Sequence, residues 1–135
     1  MPRVAKGYSL DGGTCIHPGV RDFRRLVVWQ DSIVLGKEIY RLTLHFPREE
    51  RYGLTAQMRS AAVSISSNIA EGAGRGSRKE LVRFLRIALG SLCELDSQVH
   101  FAAELGYLQV ADQVVTDVDR LRRRLIRLVN RIEEP

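Results

Sequence analysis

Near the end of the chain Val114, Val118, Leu121, Leu125, Leu128 and Ile132 step by four and three residues in strict alternation. That interval lays apolar side chains along one narrow line of an α-helix, a line that must be packed lengthwise against other helices. Three more segments repeat the pattern. From Leu26 to Phe46 the positions Trp29, Ile33, Tyr40 and Leu44, with Gly36 and Thr43 filling the stripe, predict a first helix that Pro47 stops. Leu54, Met58, Ala61, Ala62, Ile65 and Ile69 predict a second, ended by Gly72, Gly74 and Gly76. Ser77 and Glu80 form an S-x-x-E capping box at the start of a third, whose apolar face is Leu81, Phe84, Leu85, Ala88, Leu92, Leu95, Val99 and Ala102, with Gly106 as its stop. No segment alternates at period two, so no sheet is expected. Four helices on short connections predict an all-α fold, an antiparallel up-down-up-down four-helix bundle. The expected organisation is a flexible N-terminal leader over 1–21, rich in Gly and lacking apolar periodicity, and one bundle domain over 22–135.

At 135 residues, 44% hydrophobic and 27% charged, the chain has material for one buried core. No apolar run reaches the roughly 18 residues of a spanning helix, and the first residues lack a secretory apolar centre, so the expectation is a cytoplasmic protein without a membrane partner. Cys15 and Cys93 allow one disulfide at most and make no metal motif; reduced thiols are expected, with Cys93 read as a small buried apolar residue.

Charge is more informative. Lys and Arg number 21 against 16 Asp and Glu, a formal +5, and only Lys6, Lys37 and Lys79 among the basic residues are lysine. Arginine's forked guanidinium suits phosphate and carboxylate. Between Ile87 and Asp119 no Lys or Arg occurs, while Glu94, Asp96, Glu104, Asp112, Asp117 and Asp119 do. Arg75, Arg78, Lys79, Arg83 and Arg86 precede that stretch; Arg120, Arg122, Arg123, Arg124, Arg127 and Arg131 follow it. In an up-down bundle the start of helix one, the second loop and the end of helix four share one end. The basic blocks, joined by Arg21, Arg24 and Arg25, are therefore expected to gather into an arginine-rich pole opposite an acidic one.

Such a pole reads either as a solvated, internally paired surface or as a docking face for a polyanion, held by counterion release with little base selectivity. Its candidate nucleic-acid contacts are Arg75, Arg78, Lys79, Arg120, Arg123, Arg124, Arg127 and Arg131. Only Phe23 and Trp29 lie near as aromatics, so sequence-specific reading is not expected.

Nothing resembles catalytic machinery. The run from Glu71 to Lys79 has the glycines of a phosphate loop but not the G-x-x-x-x-G-K-[ST] spacing or a preceding strand. His17, His45 and His100 lack metal-ligand spacing, and Cys93 has no His at i±3 or i±4. No catalytic residue, metal or cofactor is expected. The small residues Ser60, Ala61, Ala62, Ser64, Ser66 and Ser67 point to close helix packing, and Asn68 and Glu71 to a hydrogen-bonded network with arginines.

Trp29-Gln30, Phe46-Pro47 with Glu50, Tyr52-Gly53-Leu54 with Gln57, Asn68-Ile69-Ala70-Glu71-Gly72 with Arg75, Phe84-Leu85-x-Ile87-Ala88-x-Gly90-Ser91-Leu92-x-Glu94-Leu95 and Leu105-Gly106-Tyr107-Leu108 follow one another in an order that resembles the four-helix-bundle family of 23S ribosomal RNA intervening-sequence proteins. That family is similar to the accessory variability determinant proteins of diversity-generating retroelements. The resemblance runs from about Phe23 to Ile132. It implies antiparallel four-helix bundles assembled as homopentamers, and, for the retroelement members, nucleic-acid binding and contact with a reverse transcriptase. It also implies that Asn68, Glu71, Arg75 and Glu94 are recurring polar positions, expected to form a structural network. The expected function is thus a non-enzymatic oligomeric bundle on RNA or DNA backbone. The alternative is an adaptor for a protein such as a polymerase, whose acidic surface the arginines would meet.

Overall fold

The computed structural model describes residues 8–10, 14–16, 22–109 and 113–135, the two short segments as backbone. Four helices make up the fold: α1 Val27–Thr43, α2 Leu54–Gly74, α3 Arg78–Glu104 and α4 Gln113–Glu133. Each helix packs on its sequence neighbour, and α4 closes the ring against α1. Cross-helix partners fix the directions. Thr43 of α1 meets Arg59 of α2, Gly72 near the end of α2 lies against Leu81 and Phe84 near the start of α3, and Arg86 of α3 meets Glu133 of α4. The end of each helix thus adjoins the start of the next, which is the antiparallel up-down-up-down bundle expected.

The core is the inward line of each helix. Leu35, Ile39, Met58, Ile65, Ile69, Leu85, Leu92, Leu95, Leu121 and Leu125 are fully buried. The apolar faces read for α3 and α4 are buried at every position. Helix α1 differs. Its inward stripe is Val28, Ser32, Leu35, Ile39 and Thr43, while Ile33, Tyr40 and Leu44 of the expected stripe are exposed, Leu44 at 73%. Two polar residues belong to the true stripe: Thr43, which was expected, and Ser32, which was not. Ser32 donates its hydroxyl to the Trp29 carbonyl at 2.6 Å and Thr43 to that of Ile39 at 2.7 Å, so each enters the core with its hydroxyl hydrogen satisfied.

The connections are built by specific bonds. Arg48–Glu50 forms a 3-10 turn, from which the Glu50 carboxylate accepts the Leu54 N–H at 3.0 Å and so caps α2 from a position the sequence did not suggest. Ser77 caps α3 by accepting the Glu80 N–H at 3.2 Å. The reciprocal half of the expected capping box is replaced, because the Glu80 carboxylate binds Arg83 instead. At the end of α3, Gly106 has φ of +80°. The N–H groups of Gly106 and Tyr107 return to the carbonyls of Ala103 and Ala102, a Schellman closure that needs a left-handed residue. Tyr107 then packs on Phe46, ring centroids 5.3 Å apart, joining the first and third loops at one end.

Two expectations need correction. Within the leader, Tyr8–Leu10 and Thr14–Ile16 pair as a short antiparallel ladder, Ser9 opposite Cys15. Strands of three residues are too short for a period-two pattern to report. Cys93 is an exposed free thiol, not a buried residue, since it stands a third of a helical turn away from Leu92 on the outward side.

Candidate functional site

A cluster of cations stands at the end of the molecule where α1 begins, α2 passes into α3 and α4 stops. Arg24 and Arg25 lie in the 3-10 turn before α1, and both pair loosely with Asp22. Arg75 ends α2; its guanidinium takes the Glu71 carboxylate at 2.7 Å and lies 5.0 Å from the Phe84 ring centre. Arg78 and Lys79 open α3 and are exposed. One and two turns on, Arg83 pairs with Glu80 at 3.0 Å and Arg86 with Glu133 at 2.5 Å. Arg83 also covers the other part of Phe84, at 4.4 Å. The Arg83 guanidinium holds the Glu80 carboxyl below its ordinary value against the opposing effect of desolvation, with the charges of Arg83, Arg75 and Lys79 adding to the pull.

Arg78, Lys79, Arg83 and Arg86, with Val82, Ile87, Ile132 and Glu133, line a groove of about 670 Å³ between the start of α3 and the end of α4. Arg83 and Arg86 were counted in the basic block but not named as contacts. Their spacing, four and seven residues after Lys79, was the signal that they share its side of the helix.

The expectation that all of Arg120 to Arg131 joins this end is corrected. Helix α4 runs from 113 to 133, and 13 residues separate Arg120 from Glu133, about 20 Å along the axis at 1.5 Å per residue. Arg120 through Arg124 therefore stand at the waist. There Arg122 bridges Asp96 of α3 at 3.0 Å and Asp119 at 2.6 Å, Arg124 reaches Asp31 of α1 at 2.5 Å, and Arg120 takes the buried Asp117 at 2.9 Å. Arg123 is exposed at the same level. Arg127 and Arg131 lie nearer the basic end, exposed, each with a partner of its own. Half of the expected acidic pole is taken up in these pairs: Asp96, Asp117 and Asp119 are the carboxylates the arginines hold, while Glu94 and Glu104 are not among them and Asp112 lies outside the described residues.

The polar positions form separate pairs rather than one network. Asn68 donates to the Ser64 carbonyl at 2.7 Å and to its hydroxyl at 3.1 Å, and Ser64 in turn bonds Ser91 across to α3. Glu71 binds Arg75. Glu94 accepts from Gln98 at 3.2 Å. Among the described residues no group of His, Cys, Asp and Glu is arranged to hold a metal ion. His45 is exposed, His100 rests on Asp96 at 3.3 Å, and His17 lies outside the described residues. No helix among the described residues is long and apolar enough to cross a membrane.

The fold and its charge layout set the frame for comparison with known proteins. The family model described as 23S rRNA-intervening sequence protein matches residues 24–127. The chain belongs to that family. A solved structure, a protein of unknown function from Bacteroides thetaiotaomicron assigned to the S23 ribosomal protein family, is similar to this intervening-sequence protein with a TM-score of 0.68. Identity is 20%, with 77% of this chain and 96% of that one covered, a likeness of fold. No curated protein matches the sequence. The matched span takes in the whole of α1 to α3 and α4 through Arg127, and so most of the basic groove.

Proposed function

We propose that this intervening-sequence family protein is a non-enzymatic, self-associating, cytoplasmic bundle that docks on the phosphodiester backbone of RNA or DNA through its basic end. The observation that carries the reading is the convergence of Arg78, Lys79, Arg83 and Arg86 on one groove, beside Arg75 and close to Arg24 and Arg25. Those cations come from three elements, so a polyanion meets several at once and gains by releasing counterions from each neutralised phosphate. The waist arginines stand apart from this face: Asp117, Asp96 with Asp119, and Asp31 hold Arg120, Arg122 and Arg124, and Arg123 is exposed at mid-height. The pairs at the basic end are exposed and therefore weak, so a phosphate exchanges with their carboxylates at small cost.

The test is binding of a generic labelled RNA across a salt series, read by fluorescence anisotropy. Affinity should fall steeply with salt. Reversing Arg78 and Lys79 to Glu should lower it at least about tenfold and flatten the slope by about one unit per lost phosphate contact, whereas Arg123→Glu at the waist should change it less than about threefold. Affinity indifferent to salt, or equal sensitivity at the waist and at the end, overturns the reading.

A further inference from the structure

The groove at the basic end has two chemistries, and a phosphate backbone alone uses one of them. Its rim carries Lys79, Arg83 and Arg86. Spaced four and three residues along α3, they follow one another at about 5 to 6 Å, an interval comparable with that between successive phosphates of an extended strand. Its floor is aliphatic: Ile87, 40% exposed, offers most of the surface, and only the edges of the buried Val82 and Ile132, 7% and 3% exposed, reach it. A duplex would set its phosphates on the rim and leave the floor in water, because its bases are stacked inside. A single strand brings phosphates and an apolar base face together.

Resting on the backbone-docking reading above, we propose that this groove seats an unpaired nucleotide of single-stranded RNA or DNA, its base on Val82, Ile87 and Ile132 and its flanking phosphates on Lys79, Arg83 and Arg86. The volume, about 670 Å³, falls within the range of pockets that take small organic ligands. Stacking does not need an exposed aromatic here. Phe84 is buried beneath Arg75 and Arg83, so the seat rests on the aliphatic floor, with arginine guanidinium groups of the kind that bases stack on at its rim. The carboxylates of Glu80 and Glu133 hold the guanidinium groups of Arg83 and Arg86 at the rim before any strand arrives. Such a seat distinguishes strandedness and not sequence, since every base has a flat apolar face.

The experiment compares three labelled probes of equal phosphate number on the full chain at one ionic strength: oligo(dT), a duplex, and an abasic strand. Oligo(dT) should bind about tenfold more tightly than either of the others, the scale expected of base stacking. Ile87→Ser, a change at an exposed position that leaves the cations in place, should reduce oligo(dT) affinity to the abasic level without altering duplex binding. Equal affinity for all three probes overturns the nucleotide seat while leaving backbone docking intact. Absence of binding to any of them removes both. A poly-glutamate peptide that competes with oligo(dT) on equal terms overturns the seat as well, by showing that the rim answers to charge and the floor to nothing.

Discussion

At the scale of single residues, the chain's small side chains set distances and a hydroxyl disguises part of the core. Gly72 is the sharpest case. A Cβ built there would stand 2.7 Å from the Cβ of Phe84, too close for any side chain, so α2 and α3 touch at this point only because the residue has none. Gly72→Ala should therefore force the two helices apart and lower stability by about 1 to 3 kcal/mol, read from the midpoint of urea unfolding. An unchanged midpoint would mean that the helices part freely. The same residue shows why part of the sequence was readable and part was not. Gly72 announces itself as the end of an apolar pattern, whereas its contact with Phe84 depends on a crossing that no spacing encodes. Ser32 misleads in the opposite direction. It looks like a surface residue until its bond to Trp29 is seen, and without it the aromatic and aliphatic residues one position on, Trp29, Ile33 and Tyr40, draw the stripe one face too far round.

At the scale of the helix, α4 is where sequence periodicity and sequence charge part company. Its apolar line was legible in full because burial is reported by every fourth or third residue. Its arginines were not, because a charge run says nothing about which carboxylate lies across the seam. Arg122 and Arg124 flank the apolar line on opposite sides, one meeting α3 through Asp96 and the other α1 through Asp31. A double-mutant cycle on Arg122→Ala and Asp96→Ala should return a coupling of about 0.5 to 1 kcal/mol, at the upper end for pairs this exposed; zero coupling would reduce the pair to a crystal-like surface contact. Acid should loosen two of the surface pairs. The hydrogen bond from Arg41 holds the Glu38 carboxyl below its ordinary value, the charge of Arg41 adding to it and desolvation opposing it. Glu80 is lowered in the same sense by Arg83. A carboxylate held low binds its proton less readily in the folded chain than in the unfolded one, so its contribution is complete above the ordinary carboxylate value and disappears as pH falls through its own lower value. Glu38→Gln should accordingly make stability less dependent on pH in that acid window and leave the dependence near neutrality unchanged, as followed by thermal melting at stepped pH.

At the scale of the molecule, the side of the bundle left uncovered is the one sequence reasoning had assigned to the core. Ile33, Tyr40 and Val63 are 36%, 44% and 50% exposed and, with Gly36 and Ala62, border a groove of about 440 Å³ between α1 and α2. Apolar residues gathered on one face call for a partner surface, and self-association is the reading we propose, five copies being the number the family resemblance implies. Ile33→Asp should shift the protein to monomers in light scattering while its helical signal and nucleic-acid contacts per chain stay as they were. Assembly retained by that variant would move the interface elsewhere. The whole-molecule layout also explains why the basic pole was half right. Topology alone brought Arg75, Arg78 and Lys79 to the end of α4, but only helix length reveals that a run beginning at Arg120 starts at mid-height.

The ring of four helices closes between Asp31 and Arg124, 93 residues apart in sequence, whereas Ser64 and Ser91 meet across a hairpin of 27. Contacts that span a short stretch of chain cost less entropy to form than those that span a long one. On entropy alone, the α2–α3 hairpin that carries Lys79, Arg83 and Arg86 is therefore expected to form at lower cost than the contact between the first and last helices. The cations of the rim all sit on that hairpin, but the groove beside them is complete only once Ile132 and Glu133 of α4 have docked, so the site depends on the far end of the chain closing over it.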